Sequence, residues 1–152
     1  MSFMRLVMCV AISAAAGCTS SPEVDVAPTQ LDPPFSLETA RWSVPYSGPR
    51  PGPPRGARRA TLTTDPRDGG ETYYAHFPAG ERFDLHWHAH AEYAVVLRGS
   101  VTHILGSQRS RLAPGDYVTI PPKVAHGWEP ETDVYLLIRR EGPADFNYVD
   151  TK

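Results

Sequence analysis

The chain has 152 residues, a formal net charge of −2 at neutral pH, and 41% residues of apolar type. This length and apolar content suit a single domain with one core. The charge is close to balance, which excludes the basic surfaces typical of nucleic-acid binding, so we expect no nucleic-acid partner. The two cysteines are Cys9 and Cys18. Because none follows Cys18, no disulfide bond can join two segments of the remaining chain.

Residues 1–17 have the pattern of a signal peptide. Arg5 precedes an apolar stretch, Leu6 to Ala16, which is long enough for the centre of such a peptide and too short to span a bilayer. Ala16 and Gly17 before Cys18 resemble the lipobox of bacterial lipoproteins. The resemblance implies export to the cell envelope and membrane attachment through a lipid on Cys18. An ordinary secretory signal that is cleaved nearby and an uncleaved apolar N-terminus are the alternatives.

Residues 18–60 form a proline-rich linker by composition. Nine of the sixteen prolines fall between Pro22 and Pro54. Proline removes backbone donors and favours extended backbone, so we predict a semi-rigid tether behind the lipid anchor. The stretch from Arg41 to Val44 is expected to dock on the domain as an edge strand. The arginines of this linker are predicted to be solvated charges or to contact anionic lipid headgroups.

Residues 61–150 have the texture of an all-β domain. Short β-rich runs alternate with turns that contain glycine and proline, and no window outside the signal segment shows a helical period. This pattern predicts a β-sandwich or barrel. The predicted strands are Glu71–Phe77, Arg82–His86, Glu92–Leu97, Val101–Leu105, Arg109–Leu112, Tyr117–Ile120 and Val134–Ile138.

Metal-ligating residue types cluster just after the second of these strands. His86 and His88 are two residues apart, so in an extended strand they point to the same side of the sheet. Glu92 has the same parity if no loop intervenes. Two imidazoles and one carboxylate on one wall can chelate a divalent first-row metal. A run of surface histidines is the alternative.

Two longer motifs resemble those of the cupin family. The first is Gly80-x5-His86-x-His88-x3-Glu92-x6-Gly99, and the second runs from Gly115 through Pro121 to His126. Lys123 and Pro130 depart from the second motif, at positions where the family usually has glycine and often has asparagine. The resemblance covers roughly residues 72–140.

The resemblance to small single-domain cupins of type 2 implies a fold and a site. The fold is a double-stranded β-helix, also called a jelly-roll barrel. The site is one divalent transition metal (Fe, Mn, Ni, Cu or Zn) bound by His86, His88, Glu92 and His126. Such a set leaves one or two positions of a six-coordinate ion for water or substrate.

Several further residues have open roles. His90 is a fifth donor, a partner of a ligand, a proton shuttle or, as the favoured interpretation, a histidine at the rim of the site. Trp128 packs in the core or stacks on substrate. Three arginines hold a carboxylate substrate or, as favoured, carry surface charge: Arg98, Arg139 and Arg140. The isolated strand histidines His76 and His103 are predicted to be packed or solvated and to lie outside the site.

Three functions are compatible with these patterns. The first is a metalloenzyme, most specifically a dioxygenase-like oxidoreductase that acts on a small organic acid or phenol. The second is a non-catalytic module, tethered to the membrane, that binds or senses a small ligand through its metal. The third is a structural domain that the metal stabilises. The barrel supports many functions, so fold alone does not choose among them. A homodimer through edge strands is a further expectation.

Overall fold

The structure is a computed structural model that describes residues 34–149. The predicted signal segment, Cys18 and the linker residues up to 33 lie outside the described residues. Within the described range every regular element is a β-strand. This range includes no helix that is long and apolar enough to cross a membrane.

Ten strands form two antiparallel five-stranded sheets. The order in one sheet is β1-β2-β9-β4-β7, and in the other it is β10-β3-β8-β5-β6. The strands are β1 Arg58–Thr64, β2 Glu71–Phe77, β3 Phe83–Trp87, β4 Glu92–Arg98, β5 Val101–Leu105, β6 Gln108–Leu112, β7 Tyr117–Ile120, β8 His126–Pro130, β9 Val134–Arg140 and β10 Asn147–Tyr148. The predicted all-β jelly-roll of the cupin type is confirmed.

Strict alternation along the central strands creates the interior. In β9 every second side chain is buried, from Val134 through Leu136 and Ile138 to Arg140. The same alternation occurs in β2 and β4, the two strands that pair with β9. Because side chains two apart share a face, the apolar ones of these strands form one core between the sheets. The last inward position of β9 is an arginine, and this position faces the site described below.

All seven predicted strands are present, with ends that differ by up to two residues. The structure adds β1, β8 and β10, which the sequence analysis did not predict as strands. β8 was not predicted because it contains Gly127, a residue type that is uncommon inside strands. Here β8 crosses close to β3, and a Cβ at Gly127 would lie 2.9 Å from the carbonyl oxygen of Phe83. Glycine therefore permits the sheet contact that positions His126.

The second half of the predicted tether packs against the barrel. The amide of Ser43 donates to the carbonyl of Arg59 at 2.8 Å, and the amide of Tyr46 donates to that of Ala57 at 2.8 Å. Trp42 stacks on Tyr74, with ring centroids 6.4 Å apart. The stretch around Trp42 thus docks beside β1 as expected, although it does not form a strand.

Asp84 anchors the next part of this segment. Its carboxylate, on β3, accepts from the amide of Gly52 at 3.0 Å and from the guanidinium groups of Arg50 and Arg82. Residues 43–59 are therefore held against the barrel by hydrogen bonds that reach β1 and β3. Local proline content does not reveal these contacts, because they join residues more than thirty positions apart.

Candidate metal centre

Three buried histidines meet in the barrel interior. His86 lies on β3, His88 follows that strand, and His126 begins β8 and is the register partner of His86. The ring centroids are 4.3 Å apart for His86 and His126, 4.9 Å for His86 and His88, and 5.1 Å for His88 and His126. One nitrogen of each ring lies within 4.8 Å of the others, a spacing that could hold a metal ion.

Backbone carbonyls orient all three rings. His86 Nδ1 bonds to the carbonyl oxygen of Asp84 at 2.7 Å, and His126 Nδ1 bonds to that of Val124 at 3.1 Å. His88 Nδ1 bonds to the carbonyl oxygen of Asp145. A carbonyl only accepts, so each Nδ1 must carry the proton, and each Nε2 keeps its lone pair.

The lone pairs on Nε2 have no protein donor among the described residues. Nε2 of His88 and Nε2 of His126 are buried and make no hydrogen bond there. A buried acceptor without a partner costs free energy, roughly 1–3 kcal/mol. A cation at the centre of the three rings would satisfy these atoms, so the residues present suit a metal ion.

Burial keeps the three imidazoles neutral. Desolvation lowers the pKa of His86 to about 4 and, with the added repulsion of His86, lowers the pKa of His126 to about 2. Desolvation also lowers the pKa of His88. A metal competes with protons for these nitrogens, so neutral rings are ready to bind one at neutral pH.

Glu92 lies at the edge of this cluster, on β4. Its Oε2 is 3.6 Å from His88 Nε2 and its Oε1 is 3.9 Å from His126 Nε2. The hydroxyl of Tyr73 donates to Oε2 at 3.3 Å. Desolvation raises the pKa of Glu92 to about 7, against the opposing charge of Arg140. The carboxyl group can therefore gain and lose a proton near neutral pH.

A cavity of about 470 Å³ reaches this cluster. Two side chains of the candidate metal centre, His86 and Glu92, line this cavity. Its apolar wall includes side chains from both sheets, and residues 43–59 form part of the remaining wall. The apolar lining side chains are Ala57, Ala75, Phe77, Phe83, Trp128, Ile138 and Phe146. The volume is within the range of small-molecule sites, roughly 300–1,000 Å³.

Two residues near the centre were missed or misassigned by the sequence analysis. Arg140 is completely buried, whereas surface charge was the favoured interpretation. The available signal was parity, since Arg140 continues the alternation of Val134, Leu136 and Ile138. Phe146 was not among the predicted site residues, yet its ring lies 5.0 Å from His88 and 5.5 Å from His86. No local pattern marks Phe146, because the return of the tail to β3 brings it there.

The other histidines lie outside the cluster. His90 is exposed and contacts Gly142, as expected for a histidine at the rim. His103 is buried, and its ring is tilted against that of Trp128 with the centroids 4.2 Å apart. Trp128 is part of the core and also lines the cavity. His76 stacks on Tyr135 at 4.6 Å.

Lys123, at the position where cupins usually have glycine, has a left-handed φ of 63°. Glycine adopts this conformation without steric cost, which explains the usual preference. The amide of Lys123 donates to the carbonyl of His88 at 2.8 Å. The departure from the motif therefore leaves the turn intact and keeps it tied to the histidine cluster.

Comparisons with known proteins agree with this architecture. Residues 73–138 match the family model described as the Cupin domain. No curated protein matches the chain. The chain is similar to the solved structure of a cupin-2 domain from Rhodospirillum rubrum, with 22% identity over 80% of this chain and 82% of that chain and a TM-score of 0.63.

Two further solved structures share the fold. A cupin 2 conserved barrel domain protein from Rhodopseudomonas palustris is 23% identical over 74% of this chain and 79% of that chain, with a TM-score of 0.62. The polyketide cyclase RemF from Streptomyces resistomycificus is 16% identical over 80% of this chain and 88% of that chain, with a TM-score of 0.63. On its motifs, its two-sheet barrel and the family match, residues 73–138 of this chain are a cupin domain.

Proposed function

We propose that this protein is a metal-dependent enzyme that acts on a small molecule held inside the barrel. The observation that carries the proposal is the position of Glu92, a buried carboxyl group that lies beside the three histidines and also lines the cavity. A site for binding alone needs only donors for the metal and an apolar wall. A carboxyl group within reach of both the metal position and the ligand provides for proton transfer as well.

His86, His88 and His126 would hold the ion through Nε2, with Glu92 as the fourth ligand. Imidazole and carboxylate donors suit Fe, Mn, Ni, Cu or Zn, and the donor set alone does not select among these metals. When bound, the ion supplies a Lewis acid, or an electron carrier if it is redox-active.

The remaining roles belong to side chains of the chain itself. Glu92, after leaving the ion, would accept a proton from the substrate or return one at Oε1 or Oε2, and the Tyr73 hydroxyl orients Oε2 through its 3.3 Å hydrogen bond. Phe77, Phe83 and Trp128 exclude water from the cavity. A low-water environment strengthens each electrostatic contact between these groups and the substrate.

The narrower form of the proposal is a dioxygenase-like oxidoreductase that acts on a small organic acid or phenol. It is supported by the three-histidine, one-carboxylate donor set, which resembles that of cupin dioxygenases. Its test is oxygen uptake by metal-loaded protein with a panel of organic acids and phenols. Uptake with none of them, together with tight binding of one, would favour a non-catalytic binding or sensing module. Loss of stability without metal, and no binding at all, would favour a structural role.

The metal itself is tested by elemental analysis. We expect near-stoichiometric transition metal in the purified protein and almost none in the His86→Ala, His88→Ala double variant. His90→Ala is the matched control, because it removes an exposed imidazole from the same stretch and should keep full metal content. Equal metal content in all three proteins would contradict the proposed site.

Export and lipid attachment are a separate part of the proposal. The signal pattern of residues 1–17 and the small residues before Cys18 support a lipoprotein of the cell envelope, with the domain held at a membrane surface. We expect Cys18→Ser to move the protein from the membrane fraction to the soluble fraction. Cys9→Ser is the matched control and should leave the fractionation unchanged. Unchanged fractionation of Cys18→Ser would contradict the anchor. A homodimer through exposed strands remains a prediction, which sedimentation can test.

A further inference from the structure

Two arginines share one carboxylate at the side of the cavity. Glu71 Oε2 accepts from Arg59 Nη2 at 2.8 Å and from Arg140 Nη2 at 3.0 Å. The Arg59 guanidinium also lies 4.6 Å from the ring centroid of Tyr73, whose hydroxyl reaches Glu92. The arginine pair is therefore one tyrosine side chain away from the candidate metal centre.

The arginine pair has unused donors. Arg140 is completely buried, and its Nε and Nη1 have no hydrogen-bond partner among the described residues. The aromatic rings of Tyr73 and Phe146 lie 5.8 Å from its guanidinium carbon and compensate only part of that charge. Arg59 lines the cavity, and within residues 34–149 only its Nη2 has a bonded acceptor.

The charges around the cavity do not balance once a metal is bound. Two guanidinium groups, of Arg59 and Arg140, face two carboxyl groups, of Glu71 and Glu92. Arg58 also lines the cavity and adds a further positive charge. A divalent ion adds two positive charges that none of these four groups compensates. Uncompensated charge in a site with an apolar wall is costly, and an anionic ligand lowers that cost.

We propose that the cavity selects an organic carboxylate with an apolar body of about the size of one or two rings, and that Arg59 is the residue that recognises its anionic group. This inference rests on the proposed metal-dependent site and names its ligand class. Nε and Nη1 of Arg59 have no acceptor among the described residues and can donate charged hydrogen bonds to an anionic group, and the aromatic and aliphatic wall suits the apolar body. Arg59 lies on β1, outside residues 73–138 that match the family model.

The test compares a carboxylate with its uncharged amide. 2-Naphthoate and 2-naphthamide have nearly the same shape, and calorimetric titration of the metal-loaded full chain gives both affinities. A charged hydrogen bond contributes roughly 1.5–3 kcal/mol, so we expect the acid to bind about 10-fold to 100-fold more tightly than the amide. Arg59→Gln should reduce this preference to about 3-fold or less with unchanged metal content.

Arg109→Gln is the matched control. Arg109 is also a half-exposed strand arginine paired with a glutamate, Glu129, but it does not line the cavity. The Arg109→Gln variant should bind the acid more tightly than the amide by the same factor as the wild type. Equal affinities for acid and amide, no binding of either at about 10 mM, or a preference that survives Arg59→Gln would each overturn the inference. A wild-type protein without metal refutes the proposed function, whereas a metal-loaded protein that binds acid and amide equally refutes the charge selection alone.

Discussion

The isosteric change Glu92→Gln should stabilise the metal-free protein and weaken the metal-bound one. Glu92 is buried among neutral imidazoles, and Tyr73 is its one protein hydrogen-bond donor within the described residues. Burial raises the pKa of this carboxyl group from 4.5 to about 7. The ionised carboxylate therefore costs the folded metal-free protein about 3 kcal/mol above pH 7. Glutamine has the same shape and removes that cost.

The size of this stabilisation depends on pH in a defined window. The folded protein holds the Glu92 proton more tightly than the unfolded chain does, because the pKa is raised on folding. The stability contributed by this proton is present below about pH 4.5 and is lost as the pH rises towards 7. We therefore expect the metal-free variant to exceed the wild type by about 2–3 kcal/mol at pH 8 and by less than about 1 kcal/mol at pH 5.

Urea denaturation with and without a chelator measures both effects. At pH 8 the three histidines are neutral in both proteins, because burial lowers their pKa values, so they do not contribute to the difference there. With a bound divalent metal the order should reverse, because an amide oxygen is a weaker ligand than a carboxylate. Glu81→Gln, outside the histidine cluster, should show neither effect. A metal-free Glu92→Gln protein no more stable than the wild type at pH 8, or an advantage that is the same at pH 5, would refute the reasoning.

Two further predictions test the wall of the cavity and a turn. Asp84→Ala removes the acceptor of the buried Gly52 amide and should lower the free energy of unfolding by about 2–4 kcal/mol, with faster hydrogen exchange at Gly52; unchanged exchange would contradict the anchor. Gly99→Ala should lower the free energy of unfolding by more than about 2 kcal/mol, because φ is +81° and the new Cβ would lie 2.2 Å from the carbonyl oxygen of Asp133. Gly106 also has a positive φ, but a Cβ there would meet open space. Gly106→Ala should therefore cost only about 1–2 kcal/mol. Equal losses of urea midpoint in the two glycine variants would contradict the close contact.

Local patterns predicted the strands and the histidines well for a physical reason. Side chains alternate along a strand, so the two-residue spacing of His86 and His88 was enough to place them on one wall. The turn residues between apolar runs marked most strand ends. The same rule would have placed Arg140 in the interior with Ile138, had the alternation of β9 been extended beyond Ile138. β8 was not predicted because glycine is more typical of turns than of strands. Only the structure shows that Gly127 is required by the close approach of β3.

The sequence by itself determined the fold class and which side chains are able to bind a metal, since both follow from short-range periodicity and from donor chemistry. Only the tertiary structure decided what surrounds them. Arg140 meets Glu71 across 69 positions of the chain, and Arg50 meets Asp84 across 34. Phe146 covers the histidines because the tail returns to β3. Such contacts depend on how two sheets pack and where the chain ends dock, and no local spacing encodes them.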